Sequence, residues 1–395
     1  MIGIDVLEVK RLEAILERRG RAFIERAFTP EEQAYLRKKA WAPRSLAGII
    51  AAKEAIAKAQ GLGLFKMGIK NIEVRHDRRG RPYGLWKNET YLLSISHDGG
   101  LAIALAKKEM GGPRGEVPAF LREAFPYPKE EDHKGTRGRA GLYGGQLGML
   151  GSAFLATRSA LRVGAGYSYH ILPKDLLPLM SLKYVEEIAL AFEKEEEEAA
   201  FLKGLDALAI GPGLGKGEAQ ARLLKRVLAL DKKIVCDADA LSLLARDKAL
   251  LRDRQAPTVL TPHLGEMARL TGLSPQEIQD HREAVAQAVA RDLGAVVLLK
   301  GPGTLVTDGK RTYTNPTGNP GLATAGSGDT LTGIILGLLA QGLGAYEGAC
   351  LGAYLHGLAG DLAAQERTMN GMVASHIIDK LPQALGIFYG QIDGC

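Results

Sequence analysis

Asn315-Pro-Thr-Gly-Asn-Pro-Gly321-Leu-Ala-Thr-Ala-Gly326-Ser-Gly328-Asp329-Thr-Leu-Thr-Gly333 opens a long apolar helix. Glycines let backbone N–H groups wrap an oxyanion at a helix N-terminus, where the helix dipole favours negative charge. An aspartate placed there takes a proton from a substrate hydroxyl as a phosphoryl group arrives. A bare Gly-x-Gly-Asp reads equally well as a helix cap. The length of the string points instead to a phosphate site.

Upstream, one pattern recurs: apolar strand, polar or glycine turn, helix. Ala207 to Ile210 precedes Gly-Pro-Gly-Leu-Gly215, and Lys233 to Cys236 precedes Asp237-Ala-Asp-Ala-Leu241. Thr258 to Leu260 precedes Thr261-Pro-His263-Leu-Gly265-Glu266, and Val296 to Leu299 precedes Lys300-Gly-Pro-Gly-Thr304. Strands alternating with helices predict a mostly parallel sheet covered on both faces, a three-layer α/β/α domain. Ligands bind outside the carboxyl ends of such strands, where each of these polar motifs falls.

Before this pattern lies a stretch rich in Pro, Gly and charge, residues 111–132, which reads as a linker between a domain at 1–110 and one at 133–395. In the first domain, a strand at 2–6 feeds a helix at about 7–19. An Ala-rich helix follows at 44–60, then strands at 69–76, 91–95 and 101–106. This grouping predicts an α+β domain.

With 46% hydrophobic and 24% charged residues, disordered and fibrous classes are excluded. No apolar run approaches a membrane span, no signal-peptide pattern follows Met1, and the three cysteines lack metal-ligand spacing. A cytoplasmic protein is expected. Residues 1–110 hold 21 Lys and Arg against 13 Asp and Glu, a net of +8, and the remainder holds 30 against 32. The first domain therefore suits an anionic partner: nucleic acid, phosphorylated cofactor or acidic protein.

Asp5 on the first strand, and Glu54 with Lys58 at i, i+4 on the second helix, offer two carboxylates and an ammonium to one site. Such carboxylates suit magnesium, with water and phosphate oxygens completing the shell. The same Glu54 and Lys58 also read as a surface helix pair. Together, Gly3-Ile-Asp5-Val with Glu8, Phe28-Thr-Pro-Glu-Glu32, Leu46-Ala-Gly48, Ala51-Ala-Lys-Glu54-Ala, Lys58, Asp77-x-x-Gly80-x-Pro82 and Ser94-Ile-Ser96-His97 resemble holo-acyl-carrier-protein synthase, a phosphopantetheinyl transferase.

The resemblance implies transfer of 4′-phosphopantetheine from coenzyme A to a serine of an acyl carrier protein. It implies magnesium on Asp5 and Glu54, with Glu54 also catalytic toward the incoming serine. The coenzyme pyrophosphate falls on that metal and Lys58, and the nucleotide falls around Ser96 and His97. The acidic carrier protein falls on a basic face including Arg11, Arg18 and Arg26. Neither nucleic acid nor membrane is then a partner, and a homo-oligomer is expected. Ile49 stands where the family usually has an arginine.

The second domain resembles the ribokinase-like ADP-dependent NAD(P)H-hydrate dehydratases. The resemblance rests on Gly144-Gly-Gln-Leu-Gly148-Met-Leu-Gly151-Ser-Ala153, Ala160-Leu-Arg-Val-Gly-Ala-Gly166, the strand-end motifs above, the glycine string and His356-Gly-Leu-Ala-Gly-Asp361. It implies that ADP phosphorylates the hydroxyl of hydrated NAD(P)H, and that loss of phosphate restores the cofactor and leaves AMP. By the same resemblance Asp329 is the base, and Gly326, Ser327 and Gly328 form the anion hole. Lys300, Gly301, Pro302, Gly303 and Thr304 contact the adenine nucleotide, while Ser152, Ala153, Gly213, His263 and Asp329 touch the hydrated dinucleotide. Ser242 and His376 depart from the family's usual asparagine and aspartate. A plain small-molecule kinase of the ribokinase type, joined to a docking or oligomerising module, remains the alternative.

Overall fold

A computed structural model of the chain describes residues 2–77, 80–87, 89–108, 117–252 and 254–393. These fall into two units, residues 1–114 and 115–395. In the first, β1 (Ile2–Glu8), β2 (Ile72–His76), β3 (Pro82–Trp86), β4 (Glu89–Asp98) and β5 (Leu101–Lys108) form one sheet in the order β1-β5-β4-β3-β2, antiparallel throughout. Helices α1 (Val9–Ala27), α2 (Pro30–Lys38) and α3 (Pro43–Ala59) accompany it.

Small residues set the spacing between α3 and the sheet. Ala51, Ala52 and Ala55 on α3 and Ala102, Ala104 and Ala106 on β5 are fully buried in one core. A Cβ at Gly3 would stand 2.0 Å from the Ala55 carbonyl oxygen, so β1 can lie this close only as glycine. Ile49 is 2% exposed in the same core. The position that departs from the family's arginine is a packing position here, and burying such a side chain stabilises by roughly 1.5–3 kcal/mol.

Helix α1 runs beyond the expected 7–19 but is broken at Gly20, whose φ of 47° and ψ of −128° are not helical. Helix α2 and strand β3 were not anticipated. The helix carries its own signature: the Thr29 hydroxyl accepts from the Glu32 N–H, the Glu32 carboxylate accepts from the Thr29 N–H, and Pro30 occupies the first turn. Glu32 then reaches the buried Lys53 at 2.7 Å, and Lys53 also donates to the carbonyls of Ala27 and Ile69. Lys53, within the Ala51-Ala-Lys-Glu54 motif, is a structural tie between α1, α2 and α3.

The second unit begins earlier than residue 133. Part of the expected linker is a helix, Ala119–Ala124, and Val117, Leu121 and Phe125 join the unit's core. Their i, i+4, i+8 spacing is helical, but the segment is short and bracketed by prolines, which is why it read as a connection. Residues 109–116 lie outside the described residues.

Nine strands follow: β6 (Arg139–Tyr143), β7 (Tyr167–Ile171), β8 (Ile188–Leu190), β9 (Ala207–Ile210), β10 (Lys233–Cys236), β11 (Thr258–Leu260), β12 (Val296–Leu299), β13 (Leu305–Thr307) and β14 (Thr312–Thr314). Their order is β14-β13-β12-β11-β10-β9-β6-β7-β8. Pairing is parallel from β12 to β8, and β13 and β14 extend the sheet antiparallel. Apolar cores cover both faces.

The helix Ser327–Ala340 lies in one of those cores, buried along nearly its whole length. A Cβ at Gly333 would stand 2.0 Å from the Ala156 carbonyl oxygen, and one at Gly337 would stand 2.7 Å from that of Ala160. This helix and the helix Leu150–Arg162 are therefore in backbone contact. Among the described residues, no helix is long and apolar enough to cross a membrane.

Candidate active sites

The glycine string delivers Asp329 to the first turn of the helix Ser327–Ala340. Gly326 begins that turn at φ 83°, where a side chain would also collide with Leu155. Ser152, on the neighbouring helix, lies close enough to the Asp329 carboxyl to favour its charged form. Burial lifts its pKa above the ordinary aspartate value, and the nearby charge of Asp237 adds to the lift. A base displaced toward neutrality is suited to proton abstraction.

Asp237 is the hub of this region. Its carboxylate is 2% exposed, and one oxygen accepts from Lys300 Nζ and Thr261 Oγ1, each at 2.8 Å. The other accepts from Thr332 Oγ1 at 2.8 Å, one turn beyond Asp329. Burial opposes both charges of the Asp237–Lys300 pair, but mutual attraction and these hydrogen bonds outweigh it. Asp237 is held below its usual range and Lys300 above. The Lys300 ammonium stands 3.4 Å from where a Gly328 Cβ would be, so a fixed cation faces Gly328 at the start of the helix Ser327–Ala340.

His263 caps the helix Leu264–Thr271. Its Nδ1 accepts from the Gly265 and Glu266 N–H groups, and its Nε2 lies 3.3 Å from Glu266 Oε1. Burial lowers its pKa, and a neutral ring with hydrogen on Nε2 satisfies both contacts. Ser327 Oγ lies 3.2 Å from Nε2 of the buried His356, whose pKa burial pulls to about 4. Gly213 packs against Met149 and Ser152. Ala153 is fully buried. Gly301, Pro302 and Gly303 are exposed in the turn between β12 and β13, where Thr304 Oγ1 donates to the Gly301 carbonyl. From the sequence alone Asp237 is a strand-end aspartate with no assigned role. Its position at a strand end was a signal, but Thr332 as its partner had none.

In the first unit, Lys58 Nζ meets Asp5 Oδ1 at 2.8 Å. That hydrogen bond, helped by the charge of Glu54, holds the Lys58 pKa above its ordinary value. The carboxylates of Asp5 and Glu54 are thus drawn to one ammonium, and such hard oxygen donors fit magnesium. Among the described residues, no group of three or more His, Cys, Asp or Glu side chains gathers as a ready metal cage.

His97 Nε2 lies 2.7 Å from the Arg44 carbonyl, and Gly48 makes room for the ring. Ser96 pairs with Ile103 and so projects from the other face of the sheet, away from His97. Arg11, Arg18 and Arg26 are all exposed on α1, but the break at Gly20 separates Arg26 from the helical spacing of the first two.

Residues 140–383 match the family model described as NAD(P)H-hydrate dehydratase. The chain belongs to the NAD(P)H-hydrate dehydratase family. Residues 1–106 match the 4′-phosphopantetheinyl transferase superfamily, so the dehydratase-family unit is joined to a second, unrelated one. A bifunctional NAD(P)H-hydrate repair enzyme of Moorella thermoacetica is 42% identical over 280 residues, covering 68% of this chain and 53% of the relative. An ADP-dependent (S)-NAD(P)H-hydrate dehydratase of Neisseria meningitidis is 39% identical over 271 residues, covering 65% of this chain and 90% of the relative.

The crystal structure of the ADP/ATP-dependent NAD(P)H-hydrate dehydratase of Bacillus subtilis, co-crystallised with ATP and Mg2+, superposes with a TM-score of 0.59. Its sequence identity is 32%, over 68% of this chain and 96% of that one. The chain spans about half the length of the first curated relatives it matches.

Proposed function

We propose that the chain is a bifunctional enzyme: a phosphopantetheinyl transferase in its first unit and an ADP-dependent NAD(P)H-hydrate dehydratase in its second. For the dehydratase, the carrying observation is the pairing of a raised-pKa carboxyl, Asp329, with an ammonium, Lys300, that a buried aspartate fixes over Gly328. Asp329 takes the proton of the hydrate's hydroxyl as that oxygen bonds to the β-phosphorus of ADP. The bond from phosphorus to the bridging oxygen breaks, and AMP leaves. The N–H groups at Gly326, Ser327 and Gly328, with Lys300, hold the charge that builds on the phosphoryl oxygens. The ring carbon's bond to phosphate then breaks, the adjacent carbon gives up a proton, and the double bond formed between them restores the dihydronicotinamide.

The turn from Lys300 to Thr304 holds the adenine nucleotide. Ser152, Ala153, Gly213 and His263 border the dinucleotide, Ala153 through its backbone because its side chain is buried. The test is to incubate NADH hydrate with ADP, or with ATP, and follow dihydronicotinamide absorbance. Its return supports the reading, and a stable phosphorylated hydrate would instead mark a kinase.

In the first unit, the serine oxygen of an acidic acyl carrier protein bonds to the phosphorus of the phosphopantetheine group. The bond to the other phosphate of coenzyme A breaks as this happens. Glu54 orients that serine and receives its proton, while Lys58 holds the pyrophosphate and His97 borders the nucleotide. Asp5 and Glu54 would hold magnesium, which would supply charge neutralisation at the pyrophosphate. Exposed Arg11, Arg18 and Arg26 receive the carrier protein.

Ile2, Ile4, Val6, Leu101, Ile103 and Leu105 project from the open face of the sheet, each more than a third exposed. This apolar face supports a homo-oligomer, with Ser96 lying on it. The thiols of Cys236 and Cys350, buried and free of disulfides, suit a reducing cytoplasm. A gain of one phosphopantetheine mass by an apo carrier protein, given coenzyme A and magnesium, tests the transferase.

A further inference from the structure

The stretch His356-Gly-Leu-Ala-Gly-Asp361 takes no part in the chemistry described above. It lies on the helix Ala345–Arg367 in the second unit. Ala353, His356, Gly357, Gly360 and Asp361 recur at i, i+3, i+4, i+7 and i+8, the spacing of one stripe on a helix. The glycine string that ends at Asp329 is fastened along that stripe.

At the start of the string, the Asn315 side-chain amide donates to the Ala353 carbonyl at 3.0 Å, and the Thr317 hydroxyl donates to the Tyr354 carbonyl at 2.9 Å. A Cβ at Gly357 would collide with Thr317, and one at Gly360 with Leu322, so these two positions let string and helix touch only as glycine. The Asp361 carboxylate accepts from the Gly318 N–H and from the Asn319 side-chain amide, each at 2.9 Å. Asn319 Oδ1 in turn accepts from the Gly321 N–H at 2.9 Å. At the far end, Ser327 Oγ meets His356 Nε2 at 3.2 Å, and burial keeps that ring neutral.

Such fastening answers a cost. Residues 315–333 contain five glycines, and the freedom that lets their N–H groups wrap an anion also lets them point elsewhere. A loose string would be ordered anew at each capture of a phosphate, against roughly 1–2 kcal/mol of backbone entropy per residue. Held on the helix, it is ordered in advance.

Resting on the dehydratase reading, we propose that this stripe is the template of the anion hole, with His356 as its positioning residue. Through the Ser327 hydroxyl, His356 fixes residues 326–328, whose N–H groups receive the transferring phosphoryl group. Asp361 anchors the other end of the string.

The test is a double-mutant cycle on ADP-dependent repair of NADH hydrate: wild type, Ser327→Ala, His356→Leu and the two together. Misaligned donors weaken the hold on charge that builds in the transition state more than the hold on either substrate. Each single variant should therefore lower kcat about tenfold with both KM values within about threefold, and the double variant should fall no further than Ser327→Ala alone. His356→Gln, whose amide reaches the place of Nε2, should recover most of the loss. Where His356→Leu fails to fold, His356→Phe, a ring without nitrogen, takes its place in the cycle. Losses that multiply in the double variant, or KM rising with kcat unchanged, overturn the role of His356.

A second readout needs no activity. Amide hydrogen exchange over residues 315–331, followed by mass, should quicken in His356→Leu and in Asp361→Ala. Wild-type exchange rates in either variant overturn the template. Quickened exchange in both, with a wild type that repairs no hydrate, overturns the dehydratase reading and leaves the template standing.

Discussion

Asp5 and Lys58 in the first unit meet at 2.8 Å with 49% of the lysine side chain in solvent, whereas Asp237 and Lys300 in the second meet at the same 2.8 Å with the carboxylate 2% exposed. Distance is equal, but consequence is not. An exposed pair is worth about 0–1 kcal/mol and yields readily when an incoming phosphate or cation competes for either member. A buried pair left half-made costs roughly 3–5 kcal/mol, so it stays fixed and serves as a template. The first site is thus completed by what binds to it, and the second is assembled beforehand.

The largest effect that bears on this contrast belongs to Asp329→Asn. Asparagine caps a helix nearly as well as aspartate, so ADP binding by calorimetry should persist while repair falls roughly 10²- to 10⁴-fold. Repair within a few-fold of wild type would make Asp329 a cap and nothing more. Next comes Glu54→Ala, which should cut phosphopantetheine transfer by about a hundredfold or more, measured by carrier-protein mass, and leave repair untouched. Partial rescue by raised magnesium would sharpen the picture of a site completed by its ligands.

Asp237→Asn probes the preassembled site at a distance from substrate. It should lower repair by about 10- to 100-fold and thermal stability by on the order of 3 kcal/mol. The pH profile gives the sign. Asp329 works as a base only when deprotonated, and burial with the Asp237 charge raises its pKa. Repair by the wild type is therefore lost as pH falls through that raised value, above the ordinary aspartate range. Removing the neighbouring negative charge moves the acid limb to lower pH, and an unmoved limb would break the link between the two carboxyls. The smallest effect is expected from Arg11→Glu. It should raise the KM for carrier protein by about fivefold at low salt, and the difference should shrink as salt screens the surface.

The sequence disclosed most where chemistry and position coincide along the chain. Strands β9 to β12 were read to the residue, because a strand buried on both faces is a continuous apolar run with a sharp polar end. The placement of Asp329 and its glycines at the start of an apolar helix was legible for the same reason. The role of Asp237 was not, because its partners Thr261, Lys300 and Thr332 are 24, 63 and 95 residues away. In the first unit, β3 was hidden by Pro82 and Gly84, residues that argue against a strand when read locally. The break at Gly20 cannot be told from an ordinary helical glycine until φ and ψ are known.

The backbone contact at Gly333 and Gly337 places a restriction on how this sequence can drift. These two positions lie about 6 and 12 Å along the helix axis from Asp329, and both are buried against the neighbouring helix. Yet a single added methyl at either would wedge the helix that carries Asp329 away from the one that carries Ser152. The two walls of the reaction centre would then part by tenths of an ångström, enough to disturb a proton transfer while every recognisable motif stayed intact. Tolerance to substitution along this helix is therefore set by the neighbouring backbone as much as by the chemistry at its tip.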